Sequence, residues 1–304
     1  MLQLVLLALG GMIAKFIGGS LGMGYGVMSA TMLLTIGIAP AAASATVHIA
    51  QIGTTLVTGF SHWRFGNVDW GVVKRIAIPG GIGAFLGASF LSSLPAAAAR
   101  PLMASILLCL GAFVLIRFTR NGVPTHRIGT RIRTRFLVPL GLVGGFLDST
   151  GGGGWGPVNT PALLASGQLE PRKVIGSVGT SEVVVAVCSV AGFLVGIGHA
   201  GIPFDIVLTL LAGGLIAAPL AAWVVRHLPG RILGSAVGGM IVITNAQTLI
   251  GESGLGLSAP LQVTFYVAFA IVWVGAIAYS IRAWRAERAE EAAVPATDAS
   301  AGTS

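Results

Sequence analysis

The chain has 304 residues, of which 54% are hydrophobic and 9% charged, and its formal net charge is +8. A soluble globular protein carries about 25% charged residues, so the composition excludes that class and points to a polytopic membrane protein. In such a chain Lys and Arg report orientation first, and the positive balance calls for no nucleic acid.

In chain order, the first segment, about 2–38, is too long for one crossing and is cut near its middle by Gly22-x-Gly24-Tyr25-Gly26. Each half, at about 13 residues, gives about 20 Å of helix against a hydrocarbon core of roughly 30 Å. It reads as one broken crossing or as a re-entrant hairpin. No basic n-region opens it, so no cleavable signal is expected. Apolar runs follow at about 42–60, 71–92 and 98–118, then a basic linker at 119–135. The segment at 136–167 is again long and glycine-cut, and runs follow at about 172–197, 205–226, 231–250 and 259–281. The tail, 282–304, begins as a charged helical end and finishes in Ala, Thr and Ser, a composition expected to be disordered. Cys109 and Cys188 lie inside apolar runs with no metal-like or redox-like spacing and read as small buried hydrophobes. Scattered glycines such as Gly83, Gly87 and Gly192 read as helix-packing positions.

The chain repeats itself. Gly152-x-Gly154-Trp155-Gly156 restates the first glycine break at an offset of 130 residues, with Ser29 opposite Asn159 and Gly37 opposite Gly167. After a one-residue slip, Thr46 falls opposite Ser177 and Gln51 opposite Glu182, and later Gly80-Gly81 meets Gly213-Gly214. A duplicated unit with a glycine-rich break is a common transporter plan.

Charge orients the spans. If segment 136–167 is re-entrant, the loops at 60–75, 117–135, 170–173 and 226–231 and the tail all lie in the cytoplasm, with sixteen of the eighteen Lys and Arg residues. Only Arg100 lies outside, and Lys15 is within an apolar segment. If the segment crosses instead, seven of those cations move outside. The re-entrant reading wins for the second repeat and extends to the first by symmetry. The expected architecture is all-α: two inverted repeats (1–118 and 136–250), each a glycine-broken re-entrant hairpin plus three transmembrane helices, with 259–281 as an extra helix and the C-terminus cytoplasmic.

The stretch Gly145-Phe-Leu-Asp148-Ser-Thr-Gly-Gly-Gly-Gly-Trp155-Gly-Pro157 resembles the second-repeat signature of the sulfite exporter TauE/SafE family, as does Arg172-Lys-Val-Ile-Gly-Ser177-Val-Gly-Thr180-Ser-Glu182. Ser61-His-Trp-Arg-Phe-Gly-Asn67-Val-Asp-Trp70 resembles a bacterial branch of it. The resemblance covers roughly 5–250 and implies a multi-pass protein of the bacterial inner membrane that moves a small anion, sulfite or a sulfonate.

The motifs suit an anion. Glycines let the chain turn through dihedrals closed to other residues, and Pro157 belongs in the first turn of the half-helix that follows. That half-helix presents N–H groups and a positive dipole end inside the membrane; Ser20, Gly22, Gly24 and Tyr25 offer the same from the opposite face. Substrate-binding candidates are therefore these four with Ser149, Thr150, Gly152, Gly153, Gly154, Trp155 and Asn159, joined by the polar stripes of the next helices: Thr46, His48 and Gln51, and Ser177, Thr180 and Ser181. Asp148, Glu182 and His48 are the proton-coupling candidates, against the alternative of helix-to-helix hydrogen bonding alone. Lys15 neutralises an anion, pairs with Asp148 or snorkels to the surface. Tyr25 and Trp155 cover a substrate or simply pack. No cofactor or metal set is visible, and nothing resembles a nucleotide-binding or hydrolase motif, so the chain is not expected to be an enzyme. A secondary transporter working by alternating access is the leading reading, and an uncoupled, channel-like anion pathway is the alternative. The expected partners are the anion and the bilayer; a homo-oligomer is compatible with the sequence.

Overall fold

The computed structural model describes residues 2–21, 23–121, 132–166, 168–224, 230–250 and 257–293, and among these the regular structure is wholly helical. The first glycine-cut segment is a helix pair, α1 (Leu2–Leu21) and α2 (Tyr25–Thr35). Next come α3 (Pro40–Arg64), α4 (Trp70–Ser93) and α5 (Ala96–Asn121). The second cut segment is the pair α6 (Thr134–Gly151) and α7 (Trp155–Ala165). Then follow α8 (Pro171–Ile197), a 3-10 turn at His199–Gly201, α9 (Phe204–Val224), α10 (Gly230–Ile250) and α11 (Ala259–Ala293). Most of the linker and the end of the tail lie outside the described residues.

Local chemistry places these ends. Pro40 and Pro171 open α3 and α8, where a missing N–H costs nothing. Asp69 caps α4, its carboxylate accepting the Val72 N–H at 3.1 Å. Gly24 (φ 107°) and Gly152 (φ 74°) supply the left-handed backbone on which both breaks turn. The breaks are off-centre: 20 residues precede the first and 18 the second, with 11 following each. No residue before the glycines stops a helix, so the first limb grows to about 30 Å while the second stays near 16 Å.

Among the described residues, four helical stretches are long and apolar enough to cross a membrane: Trp70–Ser93, Ala96–Arg120, Arg172–Ile197 and Ala259–Ala289. α3 has the length, at 25 residues, but buries Thr46, His48, Gln51, Thr54 and Thr55. The same inward polar stripe that dilutes its apolarity makes it interesting. α9 and α10 carry shorter apolar stretches.

The packing seams run along small residues, as expected where helices associate in lipid. Gly83 and Gly87 of α4 face the carbonyls of Leu142 and Phe146 on α6, and Gly145 of α6 faces the Gly80 carbonyl; the residue order shows α4 and α6 parallel. Gly192 of α8 faces Phe85 of α4, also in parallel. α3 runs antiparallel to α8: Gly59 meets Thr180, His62 meets Gly179 and Asn67 meets Gly176. α5 runs antiparallel to α10, with Gly111 against Ile241 and Phe118 against Gly234.

These seams mix the two halves of the sequence. One apolar core joins α1, α2, α3 and α5 to α9 and α10; another joins α4 to α6, α7 and α8. α11 lies outside both and packs on α10, where the Trp273 indole sits over Gly239 and donates to the Ser235 carbonyl at 3.1 Å.

Candidate functional site

The two breaks touch. A Cβ on Gly26, in the first turn of α2, would lie 2.5 Å from the Gly153 Cα and 2.7 Å from the Gly152 carbonyl oxygen. No side chain larger than hydrogen fits between them, so glycine on both sides is a condition of the contact.

Asp148, in the last turn of α6, closes the second break from both ends. Its backbone carbonyl accepts the Gly153 N–H at 3.0 Å, and its carboxylate Oδ1 accepts the Trp155 N–H at 2.9 Å. The first N–H of α7 is thus met by an anion that the chain itself provides. The other carboxylate oxygen, Oδ2, lies 3.0 Å from Nε2 of His48, with both side chains buried. The His48 Nδ1–H donates to the Ser44 carbonyl at 2.7 Å. A carbonyl only accepts, so Nδ1 keeps its proton and a further proton is held between Nε2 and Oδ2. The pair is neutral as a unit, which is how two ionisable groups survive at this depth.

The rest of the shell is polar and interlocked. Ser44 donates to the Ser149 carbonyl at 2.6 Å, and the Ser149 hydroxyl donates to Ser189 at 2.8 Å. Gln51 of α3 donates to Glu182 of α8 at 2.7 Å, joining the two positions that the repeat aligns. Trp155 is fully buried; its ring packs on Gly80 and its Nε1–H reaches the Val178 carbonyl at 3.0 Å. Asn159 donates to the Trp155 carbonyl at 2.9 Å, and its Oδ1 has no partner. Lys15 is 5% exposed, with its Nζ 5.1 Å from the centroid of the Tyr25 ring. It neither snorkels nor pairs with Asp148, which is taken by His48.

Of the residues singled out in the sequence, His48, Gln51, Asp148, Ser149, Gly152, Gly153, Gly154, Trp155 and Glu182 converge around the contact between the breaks. Gly24 and Tyr25 form the start of α2 beside it. Thr46, Thr150 and Ser181 turn their hydroxyls to backbone carbonyls of their own helices. Ser177 and Thr180 lie at another contact: the Ser177 hydroxyl accepts the Asp69 N–H at 2.8 Å, and Thr180 faces Gly59. Gly22 and the Ser20 side chain lie outside what is described. Ser44 and Ser189 were missed. Ser44 sits one helical turn before His48 and Ser189 two turns after Glu182, so following each polar stripe along its helix would have found both.

The match to known proteins follows the same span. The family described as "Sulfite exporter TauE/SafE" matches residues 7–248. The chain belongs to the sulfite exporter TauE/SafE family. It is 46% identical over 280 residues to "Probable membrane transporter protein YtnM" of Bacillus subtilis (strain 168), covering 92% of this chain and 93% of that protein. It is 27% identical over 239 residues to "Probable membrane transporter protein YdhB" of the same organism, covering 78% and 95%. No solved structure matches significantly. Membership identifies an integral membrane transporter rather than an enzyme.

Proposed function

We propose that this TauE/SafE member is a secondary transporter of a small oxyanion of the sulfite or sulfonate class, working by alternating access around the contact between the two breaks. The observation that carries the reading is the meeting of Gly26 with Gly152 and Gly153 beside His48–Asp148 and Gln51–Glu182. Two helix starts, two carboxylates and a histidine gathered at one buried point serve no packing purpose that apolar residues would not serve better.

The two repeats are inverted, each a hairpin plus three crossings. The support is the antiparallel course of α3 against α8 and of α5 against α10, since the duplication aligns the members of each pair with one another. The cytoplasmic assignment of the basic loops is supported by how their ends meet. Arg75 donates to the Ile132 carbonyl, and Arg231 to the Thr119 carbonyl and the Glu287 carboxylate. Because α4 packs with α6 and α8, and α9 with α1 and α3, the rocking bodies are not the two halves of the sequence. One body holds α9 and α10 of the second repeat, and the other holds α4 of the first. Asp148, His48 and Glu182 are the proton-coupling groups.

Purified protein in liposomes tests this. Sulfite flux saturates and responds to an imposed pH gradient, and Glu182→Gln folds normally but loses the gradient response. Linear, uncoupled flux supports the channel-like pathway instead, and equal loss of folded protein and of flux in Glu182→Gln makes that residue structural.

A further inference from the structure

The two breaks are duplicates in sequence but not in charge. At the offset of 130 residues that pairs Tyr25 with Trp155, Asp148 falls opposite Gly18, and Lys15 falls opposite Gly145. Around the second break the anion is internal: the Asp148 carboxylate occupies the start of α7 and is balanced by His48. Around the first break the arrangement is complementary. α2 begins without a side-chain cap, and Gly18 backs directly onto Tyr25 with no side chain to place between them. The cation is here instead.

Lys15 is buried, and among the described residues it has no carboxylate within ion-pair distance and no hydrogen bond. Among the described residues its ammonium lies over the Tyr25 ring, with His62 within electrostatic range. Glu182 is within electrostatic range, but its carboxylate is engaged by Gln51. The buried hydroxyls of Tyr25 and Ser29 lie one turn apart on α2. They are close enough to sense each other, and neither finds any other partner. A buried ammonium with no hydrogen-bonded counter-charge is among the most unfavourable arrangements a protein can hold, and hydroxyls with no partner beyond each other add to it. An anion with several acceptor oxygens is the ligand that an ammonium, hydroxyls and the N–H groups of a helix start call for.

We propose that the transported anion binds at the first break alone, with Lys15 as its counter-charge and the start of α2, Tyr25 and Ser29 as its hydrogen-bond donors, while Asp148 closes the second break to anions. The inference rests on the anion-transport reading and deepens it: the pseudo-symmetric pair of breaks is functionally one-sided and takes one anion per chain. Lys15→Met keeps the volume of the stem and removes the lone charge.

The full-length protein in detergent, titrated with sulfite at constant ionic strength against a chloride control, is followed by its apparent melting temperature. Sulfite stabilises the wild type. Lys15→Met without sulfite melts at or above the wild-type temperature, because an uncompensated buried charge is gone, yet binds sulfite about tenfold more weakly or worse. Lys15→Arg keeps most of the binding. Tyr25→Phe, which removes only a hydroxyl, weakens sulfite binding by about threefold, so a Lys15→Met that failed to fold would still leave a readout. Wild-type affinity in both Lys15→Met and Tyr25→Phe overturns this site and leaves the transport reading standing. A wild type stabilised by none of sulfite, sulfate, thiosulfate and sulfoacetate overturns both.

Discussion

At the scale of single residues, Asp148 does two jobs that different substitutions separate. Asparagine keeps an acceptor for the Trp155 N–H and can donate to His48, whereas alanine leaves both buried groups without a partner. Asp148→Ala is expected to lose about 3 kcal/mol of stability and Asp148→Asn less than half as much, because orphaned buried groups dominate such losses. Thermal melts of the two variants in the same detergent check this; an equal loss in both would mean that charge, not hydrogen bonding, holds the break closed. The residue scale is also where the sequence was most legible. Asp148, His48, Gln51 and Glu182 stood out because polar groups at membrane depth are rare and need a reason. Which of them pair was not legible. His48 and Asp148 are 100 positions apart, and only the folded chain brings Nε2 to Oδ2.

At the scale of elements, the glycines fall into two kinds that sequence alone does not separate. Gly26 and Gly153 face each other's backbone, so a methyl group on either must force the tips apart. Gly275, on α11, has open space around the same position. Gly26→Ala and Gly153→Ala are each expected to cost about 1–3 kcal/mol by overpacking, and to reduce transport further than stability because they displace the site. Gly275→Ala is expected to be neutral or slightly stabilising, since alanine is the better helix former. Melting temperatures and flux for the three variants decide it, and a benign Gly153→Ala would mean that the tips do not meet in the membrane. Helix positions were readable because apolar runs and glycine breaks are local signals. The off-centre break was not, since the length of the first limb depends on where the chain first adopts a left-handed dihedral. The placement of α9 and α10 in one core and of α4 in the other was hidden for the opposite reason: it is a long-range packing choice, and no local pattern records it.

At the scale of the whole molecule, the proposed orientation rests on two independent lines. The charge count assigns the loops at 60–75, 117–135 and 170–173 to one side, and contacts within the fold bring these regions together, with Arg75 bonded to Ile132 and Asp69 to Ser177 in the early turns of α8. α11 adds a third constraint. Its 35 residues span about 52 Å, more than the roughly 30 Å of hydrocarbon, so one end must leave the bilayer. The end that leaves carries Arg282, Arg285 and Arg288, and its Glu287 returns to Arg231 at the start of α10. Cationic ends of α5, α10 and α11 on one surface are what the cytoplasmic face requires. With Cys109 and Cys188 replaced by alanine, a cysteine introduced at Gly129 in the linker should react with an impermeant thiol reagent only in inside-out vesicles. One introduced at His199, in the turn between α8 and α9, should react only from outside in intact cells. An odd number of crossings separates the two positions if the second hairpin is re-entrant, and an even number if α6 and α7 together cross. Labelling of both from the same face would therefore remove the inverted arrangement, and with it the convergence of two helix starts from opposite sides around which alternating access is proposed.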